Sequence, residues 1–295
     1  MAAVLAEAEN LVARGAREIT LLGQNVNAYH GEGPDAGICG LAVLIGRLAL
    51  IPDLLRIRYT TSHPADMDEA LIEAHGEQPK LMPHLHLPVQ SGSDTILAAM
   101  NRRHRAADYR RIVEKLRQAR PELALTSDFI VGFPGESEQD FQATLDLIGE
   151  IGFAAAYSFK YSPRPGTPAA AMVQIPDDVK SERLARLQAL IADQARAFNQ
   201  ACIGRRLPVL FERRGRHEGQ LVGKSPWLQG VHLWGPGTLI GTIGEVAIEA
   251  CHTNSLVGRL VDQVDSGGRS PTYDRAAPDA ALAASRETSM ERASA

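Results

Sequence analysis

An α/β fold is what this sequence predicts: a partial parallel β/α barrel followed by a small all-β barrel. Three observations point there. Apolar, β-rich runs alternate with helical stripes through the first two-thirds of the chain. Four of those runs end in loops of amide, hydroxyl and glycine residues. Past residue 203 the helical pattern stops, and five short β-like runs follow between glycine and polar turns.

The elements follow in order. Val4, Ala8, Leu11 and Val12 form one stripe, so residues 4–14 read as a helix. Strand-like runs occupy residues 18–23, 54–60, 84–89, 123–131 and 155–161. Tyr109, Ile112, Val113, Leu116 and Ala119 keep helical spacing. So do Phe141, Leu145, Ile148 and Ile151, behind a Ser137–Asp140 capping pattern. Repeated strand–helix units of this length imply parallel strands. A β/α unit starts on a strand, so a chain opening on a helix is expected to lack one strand upstream. Residues 163–168 are turn-rich, and a long helix is predicted over 176–201, with Leu184, Leu187, Ile191 and Phe198 buried. The later strands are predicted at 207–211, 220–222, 230–234, 245–249 and 256–261. The expected domains are therefore 1–201, a partial β/α barrel, and 202–264, a small β-barrel. Residues 265–295 are poor in apolar side chains and are expected to be a disordered tail.

Composition narrows the function. The chain has 295 residues, 44% of them hydrophobic, and a formal net charge of −4. There is no global basic signal, so nucleic-acid contact would need a local patch. No apolar run reaches membrane-span length and no signal-peptide pattern opens the chain, so a cytoplasmic protein without membrane contact is expected. Cys39, Cys202 and Cys251 are too widely spaced for a local metal motif or a redox pair.

The loops after the strands are Gly23–Asn27, Thr60–Pro64, Gln90–Ser93 and Gly132–Glu136. In a parallel β/α fold they open on one end of the sheet, and side chains of this kind suit a neutral, hydroxyl-rich ligand such as a nucleoside. None matches a phosphate-cradling or dinucleotide fingerprint. Asp128 and Glu136 are the acids of this set; a strand-end cap and a helix N-terminal charge are the plain alternatives for them. His84 and His86 share a strand face and, with His63, could instead hold a metal in a barrel hydrolase, although no suitably spaced carboxylate follows. In the small barrel, Arg205, Arg206, Arg213, Arg214, Arg216, Lys224 and Trp227 form a candidate RNA surface, diluted by Glu212 and Glu218.

The ordered motifs carry a specific resemblance. They are LLGQNVNAY at 21–29, TTSHP at 60–64, HLHLPVQSGS at 84–93, MNRR at 100–103, DFIVGFPGE at 128–136 and YSPRPGT at 161–167. Together they resemble the methylthiotransferases of the radical S-adenosylmethionine superfamily, in particular the branch that makes 2-methylthio-N6-dimethylallyladenosine in tRNA. The five-run C-terminal segment is similar to their RNA-binding TRAM domain. The resemblance implies that Gly23, Gln24 and Asn25 hold the methionine end of S-adenosylmethionine. It places Gln90 and Ser91 at the ribose or carboxylate, and Asp128, Gly132 and Glu136 around the nucleoside. It also implies tRNA as partner, its target adenine brought over the barrel mouth, and a flavodoxin- or ferredoxin-type electron donor. Members of the family carry 4Fe–4S clusters on CxxxCxxC and on cysteines of a preceding domain. Neither set is present here, so the chain resembles the C-terminal portion. It is expected to be inactive alone, a separate chain being one source of the rest; a tRNA-binding fragment without chemistry is the alternative. No catalytic residue is assigned.

Overall fold

The computed structural model of this protein describes residues 1–33 and 37–261. The expected tail lies outside the described residues. The first part comprises α1 (Ala2–Ala13), β1 (Glu18–Leu21), a short hairpin of β2 (Gly31–Glu32) and β3 (Ile38–Cys39), α2 (Leu41–Leu48), β4 (Arg56–Tyr59) and α3 (Glu69–Glu77). It continues with β5 (His84–His86), α4 (Asp94–Ala99), α5 (Ala106–Ala119), β6 (Ala124–Val131), α6 (Glu138–Ile151), β7 (Ala155–Lys160) and α7 (Asp177–Gln200).

β1 pairs parallel with β4, and β5, β6 and β7 pair parallel in that order. The two groups join at Ile57, whose N–H donates to the Lys80 carbonyl at 2.7 Å and whose carbonyl accepts from Met82 N–H at 3.0 Å. The spatial order is thus β1-β4-β5-β6-β7, the sequence order expected of β/α repeats. Alternation along each strand sorts the faces. Ile57, Leu85, Leu125, Phe129 and Val131 are buried in the core shared with the helices. The register puts Thr20 beside Arg58, His86 beside Thr126, Asp128 beside Tyr157 and Ile130 beside Phe159 on the other, concave face. Tyr157 and Phe159 are 64% and 53% exposed there.

The second part is a closed five-stranded barrel of β8 (Arg206–Arg214), β9 (Gln220–Lys224), β10 (Gly230–Trp234), β11 (Ile243–His252) and β12 (Ser255–Leu260), in the order β10-β12-β11-β8-β9. Closure leaves no free edge. Its core holds Val209, Phe211, Val231, Leu233 and Val246, and Cys202, Phe198 and Ala124 join the same cluster.

The two parts are joined by hydrogen bonds that burial makes hard to break. Arg56 and Arg58 are 1% and 3% exposed. Arg56 donates to the carbonyls of Pro208 (2.6 Å), Lys224 (2.8 Å) and Ser225 (3.2 Å). Arg58 donates to those of Pro226 (2.9 Å) and Ser225 (3.2 Å) and pairs with Glu18 at 3.0 Å. Trp227 Nε1 donates to the Glu122 carbonyl at 2.8 Å. Glu18, Arg56, Glu122 and Ala124 all stand at or just before strand starts. The small barrel therefore covers the N-terminal end of the parallel sheet, and the loops after the strands open at the opposite end.

Candidate nucleoside site at the strand ends

The first two loops are laced together. Val26 N–H donates to the Thr61 carbonyl at 3.2 Å. Asn27 exchanges two bonds with the His63 backbone, each 2.8 Å. Asn25 Nδ2 donates to Asp66 Oδ2 at 2.6 Å, while Asn25 Oδ1 is buried with no partner among the described residues. Gly23 and Gln24 are exposed beside it.

Gln90 leaves β5 at φ +76°, its N–H bound to the Asp128 carbonyl and its own carbonyl to Ile130 N–H, each 3.0 Å. Ser91 points away from the mouth. It is fully buried, 3.2 Å from Thr144 Oγ1 of α6, and Gly92 N–H donates to the same hydroxyl at 2.9 Å. A side chain at Gly92 would collide with the Ala143 carbonyl, so the loop sits directly on α6.

The Gly132–Glu136 loop is braced from behind. Gly132 has φ +73°, and its N–H donates to Glu136 Oε2 at 2.8 Å. The same carboxylate meets Arg183 of α7 at 2.8 Å, and Arg183 also reaches the Glu136 carbonyl at 3.0 Å. Burial pushes the Glu136 carboxyl up, and the Gly132 N–H and Arg183 pull it back. Ser91 and Glu136 thus spend their polar groups on α6 and α7, and Gly132 its N–H on Glu136, holding the loops in shape.

On the concave face, His86 Nε2 lies 3.4 Å from Asp128 Oδ2 and His86 Nδ1 lies 3.0 Å from Thr126 Oγ1, with Tyr157 edge-on at 6.4 Å. Arg102 was left unassigned by the sequence, although its motif was visible. It is half-buried; desolvation lowers its pKa and the Asp128 charge opposes that fall. His63 packs edge-on against His104 at 5.4 Å, and burial holds both below the ordinary imidazole value. Three of the four non-glycine residues with positive φ among the described residues, Thr61, Gln90 and Asn101, flank this mouth. Such backbone strain clusters at ligand sites. Gly23, Gln24, Asn25, Gln90 and Asp128 belong to this end of the sheet.

The candidate RNA residues divide. Arg206, Arg213, Arg214 and Arg216 are exposed. Trp227 is 5% exposed, its ring covered by the Arg205 guanidinium at 4.9 Å, so its place is the domain interface rather than an open surface. Lys224 lies on the same side, its carbonyl taken by Arg56. The open tryptophan is Trp234, at 59% exposure.

The first half of this chain, residues 1–148, matches the radical SAM superfamily. The chain belongs to that superfamily. It is 61% identical over 259 residues to the tRNA-2-methylthio-N(6)-dimethylallyladenosine synthase of Jannaschia sp. (strain CCS1), covering 88% of this chain and 56% of that protein. With the protein of the same name from Maricaulis maris (strain MCS10) it shares 58% over 262 residues, 87% of this chain and 58% of that one. The chain spans a little over half the length of these curated relatives. Coproporphyrinogen III oxidase from Escherichia coli, a radical SAM enzyme, overlays 85% of this chain and 62% of its own at TM-score 0.48 and 12% identity. Methylornithine synthase overlays 63% and 52% at TM-score 0.42 and 16% identity.

Radical SAM proteins use S-adenosylmethionine and 4Fe–4S clusters. The cysteines described here do not fit a cluster. Cys39 is in the β2–β3 hairpin, Cys202 is buried with Sγ on the Phe198 carbonyl, and Cys251 is on β11. Among the described residues no group of three His, Cys, Asp or Glu side chains is placed to hold a metal, which also leaves His63, His84 and His86 without a metal-site geometry. S-adenosylmethionine fits better: the unpartnered Asn25 oxygen, Asp128 and the half-buried Arg102 offer an acceptor, a carboxylate and a cation at one mouth.

Proposed function

We propose that this chain is the S-adenosylmethionine-binding and RNA-contacting portion of a tRNA methylthiotransferase acting in the cytoplasm. Its product would be 2-methylthio-N6-dimethylallyladenosine. The observation that carries this reading is the 61% identity over 259 residues to a synthase of that name. In this reading the β/α part runs over residues 1–201 and the RNA-contacting barrel begins at residue 202.

The roles follow from the site. Asn25 Oδ1 accepts from the amino group of the methionine moiety, and Arg102 takes its carboxylate. Asp128, steadied by His86, accepts from the ribose hydroxyls, while Gln90 and the strained loops close the pocket against water. The bound cofactor supplies the radical chemistry. Cluster thiolates, tRNA and an electron donor of flavodoxin or ferredoxin type come from outside these residues, the thiolates from a further segment or a separate chain. By this reading the chain alone modifies no tRNA.

A chimera tests it. Residues 1–261 replace the matching part of the Jannaschia relative, and tRNA nucleosides are analysed by mass spectrometry. The methylthiolated nucleoside should appear with the chimera and not with the chain alone. A chimera that folds and binds S-adenosylmethionine yet leaves dimethylallyladenosine unmodified would overturn the reading.

A further inference from the structure

We infer that the far end of the small barrel binds an unpaired nucleotide, its base stacked on Trp234 and its flanking phosphates held by Arg213, Arg214 and Arg216. The inference rests on the tRNA reading but names residues and a binding mode that the reading does not require.

Position is the first argument. β9 runs from Gln220 to Lys224, and the Lys224 carbonyl is bound by Arg56 at the domain interface. Trp234 pairs in register with Gln220, at the other end of β9. Trp234 and the β8–β9 turn therefore face away from the β/α part. Val231 and Leu233 point into the barrel core, so alternation turns Trp234 outward, and it is 59% exposed. An indole that open offers a large flat π face with a polar edge to a partner.

Preorganisation is the second. Gln220 Oε1 accepts from the N–H groups of Arg216 (3.0 Å) and His217 (3.3 Å), and the Gln220 carbonyl accepts from Gly215 N–H at 2.7 Å. Gly235 N–H ties the next turn to the Gly219 carbonyl at 2.9 Å. The indole leans over Gly219, its Cδ1 3.8 Å from where a Cβ would stand, and Arg214 lies over Gly237. The turn that carries the arginines is thus tied to the strand end that carries the ring before any ligand arrives.

Charge is the third. Residues 213–220 carry three arginines against the single acid Glu218. A flat π face with cations around it matches a base and its phosphates. A duplex, whose bases are stacked inside, could use only the cations.

Anisotropy titrations of the full chain test this, using a labelled anticodon stem-loop RNA and a blunt duplex of equal length at several salt concentrations. Trp234→Ala should weaken the stem-loop roughly tenfold, about the loss of one stacked base, leaving the salt slope and duplex binding unchanged. Trp234→Phe should retain most of the affinity. Arg213→Ala with Arg214→Ala should flatten the salt slope by about 1.4, at about 0.7 for each phosphate on a single strand. Stem-loop affinity within twofold of the parent in Trp234→Ala would overturn the stacking site while leaving the tRNA reading intact. No RNA binding at any salt would remove both this site and the RNA-contacting role of the barrel.

Discussion

The two ends of the parallel sheet both carry buried or half-buried polar residues, yet they differ in how those residues are used. At the strand starts, Arg56 and Arg58 donate to carbonyls of the small barrel, Glu18 pairs with Arg58, and Trp227 of the barrel donates back to the Glu122 carbonyl. At the strand ends, Asn25 Oδ1 has no partner among the described residues, the half-buried Arg102 lies in the field of Asp128, and Thr61, Gln90 and Asn101 have positive φ. Buried atoms without a hydrogen-bond partner occur at both ends, Glu18 Oε2 and Arg58 Nε at the starts and Asn25 Oδ1, Ser62 Oγ and the His104 ring nitrogens at the ends, so the ends differ in whether their charged groups reach across to the other domain. One end is an interface and the other the candidate site; the sequence reads the first as strand and the second as polar loops.

The largest expected effect is at the interface. Arg56→Ala strands three carbonyls and removes a partner of Glu18, and should cost about 3–5 kcal/mol in urea unfolding, as breaking buried charge networks does. A loss under about 1 kcal/mol would mean the two parts are only loosely joined.

Next comes pH. His75 is fully buried, bonded to Tyr59 Oη at 2.7 Å, and burial lowers its pKa to about 3. The unfolded chain takes up that proton below about 6.5 and the folded chain does not, so stability falls as pH drops through that window. About 2 kcal/mol should be lost by roughly pH 5, and His75→Gln should flatten the dependence. An unchanged slope in that variant would assign the loss to other groups.

A smaller effect is expected behind the loops. Gly132→Ala places a side chain at positive φ against Cγ of the buried Lys180, so displacement of that stem adds to a backbone strain of about 1–2 kcal/mol. Thermal unfolding would detect it, and no change would indicate that the turn has freedom to relax.

The strands were the most legible part of the sequence. All five parallel strands and all five barrel strands were anticipated, with ends mostly within two or three residues, because alternation and β-rich runs are local signals. The short helices α2 and α3 were not picked out individually; eight or nine residues give a periodicity too little length to stand out. The mouth was legible as a set of loops, but not which residues turn inward. Ser91 and Glu136 resemble Gln90 and Asp128 in sequence, and only the positions of Thr144 and Arg183 on distant helices decide their direction. The tryptophans were separable in principle: Val231 and Leu233 inward place Trp234 outward, whereas Trp227 follows Ser225 and Pro226 in a turn whose burial depends on the other domain.

The contrast between the two ends can be read in one experiment, the urea midpoint with and without saturating S-adenosylmethionine. A ligand of the native state raises the midpoint in proportion to its binding. Asp128→Ala should start at the parent midpoint and lose the ligand-induced rise; Arg58→Ala should start well below it and rise as far as the parent does. An Asp128→Ala protein that keeps the full rise, or that begins as low as Arg58→Ala, would contradict the division of the sheet into a structural end and a binding end.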